Sequence, residues 1–340
     1  MKKIMPFIIL IPLVFTGCSR AKELESRSFV VSAGINNGDF KKYKLSLGLI
    51  TPLKDNLFNS KETSVESNEP IIDEKSQIGN SKSFYLGHLK TAILGTDILE
   101  NGEIGKFLSC ARSNPNINVK TIITSYDGDC DSLIKSMTQS ENSLYLWDYY
   151  QNNVAFPENE KTDIERITRE IDQFGSTVIP IVKQSDGKIY VSGAYIYKNA
   201  LCGQLDENEL KGLMFLKGYY DKCELSTEKG EFYIKSQKSK YGFYEKDGKI
   251  YVNVKIKIDA QANTADYKDC HDSILNVAQN DTKSCIEKLQ KADADAAGIL
   301  YRMKNENPKL YEKYLNMNIF SNMIFDIDTE VKISGPNVIE

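Results

Sequence analysis

Apolar and polar positions fall into strand-like and helix-like blocks along the chain. Residues 29–35 (FVVSAGI) and 43–51 (YKLSLGLIT) are strand-like runs separated by Asn36-Asn37-Gly38-Asp39, which predicts a β-hairpin. Residues 54–80 are polar and aperiodic, and predict a surface excursion or flexible insert. From Phe84 onward strand and helix patterns alternate. Ile104, Phe107, Leu108 and Ala111 share one helical face within 103–113, and Asn114-Pro115 stops that helix. A β-branched run follows at 119–125, then a short helix at 131–138 carrying Leu133, Ile134 and Met137. The strongest helical signal is 163–174, with Ile164, Ile167, Ile171 and Phe174 as its buried stripe. Thr162 and Glu165 have capping-box spacing before it, and Gly175 is a natural left-handed stop. Strands are expected at 177–182 and 189–197, joined through residues 185–188. Asp206 and Glu209 repeat the capping spacing ahead of a helix through Leu216.

Near Gly218 the character changes. Ile250, Val252, Val254, Ile256 and Ile258 alternate with polar residues after Asp247-Gly248, the signature of a strand with one solvated face. A helical region is expected from about His271 to Asn305, weakened at Gly298, with more helix at 308–315. The last strand alternates Phe325, Ile327, Thr329, Val331 and Ile333 with Asp326, Asp328, Glu330 and Lys332. The class is α+β, multi-domain, with mixed sheets flanked by helices. The expected division is 1–17, 18–217 (itself able to hold two structural domains) and 218–340.

The first residues bear on compartment. Lys2 and Lys3 precede an apolar stretch ending in Phe15-Thr16-Gly17-Cys18. That stretch is shorter than the roughly 20 apolar residues a permanent span needs, so it predicts a secretory signal at 1–17. The ending resembles a bacterial lipobox, with Cys18 as the lipid attachment site. A diacylglyceryl group there would hold the body on a membrane surface, because two acyl chains anchor stably where one does not. The whole chain has a net charge of −4, and the leader would remove two lysines from it. A mildly acidic surface excludes nucleic acid and docking to anionic lipid by charge alone. Six further cysteines remain: Cys110, Cys130, Cys202, Cys223, Cys270 and Cys285. In an exported protein an even count permits disulfides. The nearest neighbours in sequence are Cys202 with Cys223 and Cys270 with Cys285; six free thiols are the alternative.

Candidate chemistry is sparse. His88 lies in an apolar neighbourhood that suits a structural imidazole, and His271 has no second Cys/His pair nearby for a metal. Asp127, Asp129 and Asp131 begin like a calcium loop, but the sixth and twelfth positions are Ser132 and Thr138 in place of Gly and Glu. They read as a polar turn capping the next helix. Asp293 and Asp295, two apart on a helix, would point in divergent directions. No nucleophile elbow, phosphate loop or dinucleotide turn occurs. The sequence therefore predicts no catalysis, no metal and no cofactor. Trp147, Tyr149 and Tyr150 are candidates for an interface or, more simply, for a core.

Several blocks resemble the Ger(x)C family in their order. They are FYLGHLKTAILGTDIL at 84–99 with Arg112-Ser113-Asn114-Pro115, and Val178-Ile179-Pro180 through Gly212-Leu213. The third is Ala292–Gly298 with Leu300-Tyr301-Arg302, similar to the family's D-x-x-G-x-G-x-x-x-Y-[RK] helix, and Pro308-Lys309 with the closing strand to Gly335 completes the set. The resemblance implies the lipoprotein C subunit of a spore germinant receptor, palmitate-type acylated at Cys18, on the outer face of the spore inner membrane. Its implied partners are a polytopic A subunit and a transporter-like B subunit, and its role is nutrient-triggered germination without catalysis. A solute-binding lipoprotein of a transporter and an exported hydrolase are the competing readings.

Overall fold

The computed structural model describes residues 27–52, 58–74, 77–78, 82–139, 144–152, 162–185, 188–262, 270–315, 317 and 319–335. Residues 1–26, with the expected leader and the expected lipid site Cys18, lie outside the described residues, as do Asp186 and Gly187 of the expected turn.

Two sheets organise these residues. In the first, β1 (Arg27–Asn37), β6 (Thr91–Gly95), β7 (Ile122–Tyr126) and β8 (Thr177–Ser185) run parallel in the middle. β2 (Tyr43–Pro52) and β3 (Phe58–Ser67) extend it antiparallel beyond β1, and β9 (Lys188–Lys198) and β10 (Ala200–Leu205) do so beyond β8. β4 (Gln77–Ile78) pairs with β5 (Lys82–Tyr85), which lies along the start of β1. A parallel strand is covered on both faces, so it reads as an unbroken apolar run. β6 shows the effect: all of TAILG is buried. Pro180 interrupts the ladder of β8, and the register against β9 shifts there. The hydroxyls of Thr124 and Ser125 on β7 each donate to the Pro180 carbonyl at 2.9 Å, which keeps that site paired.

Helices close both faces of this sheet. α1 (Thr96–Glu100), α2 (Ile104–Ser113) and α5 (Ile164–Phe174) pack on one side, where Leu99, Phe107 and Ile167 meet Leu94, Ile123 and Ile179. α3 (Cys130–Gln139) and α4 (Tyr145–Asn152) pack on the other. The second sheet comprises β11 (Cys223–Thr227), β12 (Gly230–Lys246), β13 (Lys249–Ala262) and β14 (Ile324–Ser334), in that order. β13 and β14 are parallel and joined by a helical crossover of α7 (His271–Lys291), α8 (Ile299–Glu306) and α9 (Pro308–Tyr314). α6 (Glu207–Lys217) and α7 lie between the two sheets. A continuous apolar cluster runs from Ile93, Val178 and Ile196 of the first sheet through Leu213 and Cys285 to Val254 and Ile256 of the second. The helix pair crosses closely at Gly212, where a Cβ would stand 2.1 Å from the Asp281 carbonyl oxygen.

Local signals are met unevenly. The Asp206–Glu209 capping box forms in both directions, at 2.8 and 2.9 Å, and Gly175 ends α5 in the left-handed conformation. Ahead of α5, however, the cap is Asp163, which accepts from the Arg166 amide at 2.7 Å. Thr162 is withdrawn into the sheet, donating to the Ile123 carbonyl, and Glu165 pairs with Lys120. The expected helix from His271 to Asn305 breaks at 292–298 and restarts at Ile299. Part of the polar region 54–80 is β3, antiparallel to β2 from Tyr43↔Ser67 to Pro52↔Phe58. An edge strand needs only backbone pairing and one covered face, so its polar side chains hid it.

Candidate functional site

The residues singled out for chemistry do not converge. His88 is exposed and stands edge-on to the rings of Phe29 (5.1 Å) and Tyr85 (5.9 Å). His271 is exposed beside Asp272. The Asp129 carboxylate accepts from the Asp131 amide (3.0 Å) and from Lys44 (2.8 Å), and its carbonyl accepts from the Ser132 amide. That loop starts α3, as its turn chemistry predicts. Among the described residues no group of three or more His, Cys, Asp or Glu side chains is placed to hold a metal. Tyr150 is buried, and Trp147 and Tyr149 pack against the same core, so these aromatics belong to the interior.

The six described cysteines are free thiols. Cys270 and Cys285 correct the expected pairing, because Cys270 precedes the first turn of α7 and Cys285 lies on the same helix. Fifteen positions at 1.5 Å each put them about 22 Å apart, against the 4.4–6.8 Å between Cα atoms that a disulfide tolerates. Cys202 is exposed on β10 and Cys223 is fully buried at the start of β11. Burial pushes the Cys223 thiol up to about 12.

The densest polar arrangement is one the sequence did not announce. Arg166 and Glu170 sit one turn apart on α5, and Lys217 ends α6; all three are buried. Arg166 Nε donates to Glu170 Oε1 at 2.9 Å, and Lys217 Nζ donates to the same oxygen at 2.7 Å. The Thr177 hydroxyl donates to Oε2 at 2.6 Å. Burial alone would raise the Glu170 carboxyl, but Lys217 and Arg166 outweigh it and hold it at about 2. Such a depressed carboxylate lends stability at pH values above its ordinary range, and that stability is lost as pH falls toward 2.

The network opens on a cleft of about 270 Å³ between α5, the end of α6 and α8, walled by Phe174, Tyr219, Tyr301 and Arg302. Arg166 lies over the Tyr219 ring (5.3 Å) and Arg302 over that of Tyr241 (4.7 Å). Arg302 also donates to the Lys217 carbonyl at 3.4 Å. The D-x-x-G segment builds one wall. Asp295 is buried and accepts from the amides of Ile299 (2.8 Å) and Leu300 (2.7 Å), so it starts α8. Burial pushes its carboxyl up to about 7 against those bonds. Gly298 has φ 72°, and a Cβ there would meet the Phe174 ring at 2.7 Å. Asp293, by contrast, turns outward to Lys198 and Ser321. A carboxylate held near 2 with both oxygens engaged does not exchange protons at neutral pH. The arrangement bolts the first sheet's helix layer to the second sheet's.

The bolt was illegible because an Arg–Glu pair at i,i+4 is commonplace on helix surfaces. Only the approach of Lys217, 47 residues after Glu170, makes it interior.

The described residues form a two-sheet α+β body with a shared helix layer and a charged bolt. The chain belongs to the Ger(x)C family of spore germination proteins. Residues 20–184 match the family "Spore germination protein N-terminal domain", and residues 192–337 match "Spore germination B3/GerAC like, C-terminal". The chain is 24% identical to the putative spore germination protein YfkR of Bacillus subtilis (strain 168), over 87% of this chain and 86% of that one. It is 23% identical to spore germination protein B3 of the same organism, over 94% of each. The crystal structure of the GerBC protein shares the fold, with a TM-score of 0.57 at 18% identity, covering 88% of this chain and 96% of that one. No helix among the described residues is long and apolar enough to cross a membrane.

Proposed function

We propose that this chain is the non-enzymatic, lipid-anchored C-type subunit of a spore germinant receptor, held through Cys18 on the outer face of the spore inner membrane. It docks there onto polytopic A and transporter-like B subunits and is needed for nutrient-triggered germination. The observation that carries this reading is the succession of the two family matches across residues 20–184 and 192–337. The described residues support it in that the buried Arg166, Glu170 and Lys217 are committed to one another. The solute-binding alternative calls for two lobes around a cleft, whereas the two sheets here share one helix layer and one core.

The test is dipicolinate release from spores with and without the chain, in a strain retaining no sibling receptor, across amino acids and sugars. Loss of release for one nutrient class, with pressure-triggered germination intact, is the expected result. Normal release with every nutrient would sink the proposal. A Cys18→Ala chain should leave the membrane fraction and lose the same response, and retention of both would refute the anchor.

A further inference from the structure

β14 closes the second sheet, and among the described residues no strand pairs with its outer edge. It is 11 residues long and matches β13 position for position, from Tyr251↔Ile324 to Gln261↔Ser334, without a bulge. Edges of soluble sheets are usually short, bulged, covered or broken by proline, because every second residue otherwise presents an unpaired amide and carbonyl. Among the described residues β14 has none of these, and only the charges of its outer row guard it.

Its two faces show what it lacks. On the inner row β13 buries Val254, Ile256 and Ile258 completely, whereas Phe325, Ile327, Val331 and Ile333 of β14 are only half-buried. A groove of about 380 Å³ runs beside them, between β14 and α7; Ile286, Phe325 and Ile327 form its apolar floor, and polar side chains of α7, among them Lys283 and Glu287, form its rim. The Thr329 hydroxyl in the same row is buried without a hydrogen-bond partner. The outer row carries three successive acids, Asp326, Asp328 and Glu330, and then Lys332.

β13 shows which side chains this acidic row matches. Asn253, Lys255 and Lys257 stand opposite the three acids in register. Lys255 reaches Asp328 at 3.6 Å and also pairs with Glu330, and Lys257 reaches Glu330 at 2.6 Å. Among the described residues no strand lies along the other flank of that row. A second copy paired antiparallel about Thr329 would set Asp328 against Glu330 twice, which is unfavourable for directly opposed side chains, and would offset this only where Asp326 meets Lys332.

We propose that β14 accepts an extended segment of a different protein chain, a strand in which apolar residues alternate with lysine or arginine. The backbone would add a fifth strand, the apolar row would cover the groove beside α7, and the basic row would meet Asp326, Asp328 and Glu330. This deepens, and rests on, the reading of the chain as a subunit that works by contact.

The test uses the purified full-length chain and a fluorescent peptide copying residues 250–260 (IYVNVKIKIDA), which carries that pattern. Anisotropy should show saturable micromolar binding. Lys255→Glu with Lys257→Glu in the peptide should weaken it about tenfold or more, and N-methylation of alternate amides should abolish it. Asp326→Lys with Glu330→Lys in the protein should reverse the preference toward the acidic peptide. Absence of saturable binding overturns the proposal, and so does binding indifferent to both charge and N-methylation. A concentration-dependent dimer of the chain that the peptide dissociates would overturn it too, by making a second copy the occupant. Because the assay needs no spore, its failure leaves the germination test standing on its own.

Discussion

β6 of the first sheet and β13 of the second bury the same kinds of side chain by different rules. In β6, consecutive residues Ile93 and Leu94 are both fully buried, one in each of the two apolar clusters. In β13, Ile256 is fully buried while its neighbour Lys257 faces solvent and pairs with Glu330. A sheet covered on both faces gives every residue to a core, while a sheet covered on one gives only every other. The first sheet is thus closed by helices on both faces, and the second keeps one face solvated. Structural work concentrates in the one and freedom for contact in the other.

The largest effect should come where the two layers are bolted. Glu170→Ala leaves Lys217 and Arg166 buried without their carboxylate, and unfolding in denaturant should show a loss of about 3–5 kcal/mol. Replacing Arg166, Glu170 and Lys217 together with methionine should restore much of it, and a triple variant as unstable as the single would refute the bolt. Next comes an adjacent-residue scan. Ile93→Ala and Leu94→Ala should each cost about 2–5 kcal/mol, as should Ile256→Ala, while Lys257→Ala should stay within about 0.5 kcal/mol. Equal costs at 256 and 257 would erase the distinction between the sheets. A smaller loss, about 1–3 kcal/mol, is expected for Gly212→Ala, whose Cβ would collide with the Asp281 carbonyl where α6 crosses α7. An unchanged midpoint there would show that the helix layer slides freely between its two sheets.

The alternation of Ile250–Ile258 and Phe325–Ile333, the buried stripes of α2 and α3, and the Asp206 cap were all legible, because each is set by neighbours within a turn or two residues. β12 was not foreseen: its GEFYIKSQKSKYGFYEK carries too many lysines and serines for its apolar row to stand out. β3 went unread for the same reason. Thr162 and Asp163 compete for one cap, and Thr162 loses it because the Ile123 carbonyl takes its hydroxyl.

The sequence by itself determined the α+β class, most helix faces, the family, and the polar turn at Asp129, since these depend on periodicity, local hydrogen bonds and the order of short blocks. Tertiary structure decided that Glu170 meets Lys217, that Cys270 and Cys285 lie too far apart on one helix to join, and that β14 stands at an edge. Each is a relation between residues distant in sequence or in space. Local propensity is blind to such distances, and only the packing of α5, α6 and α7 between and beside the sheets fixes them.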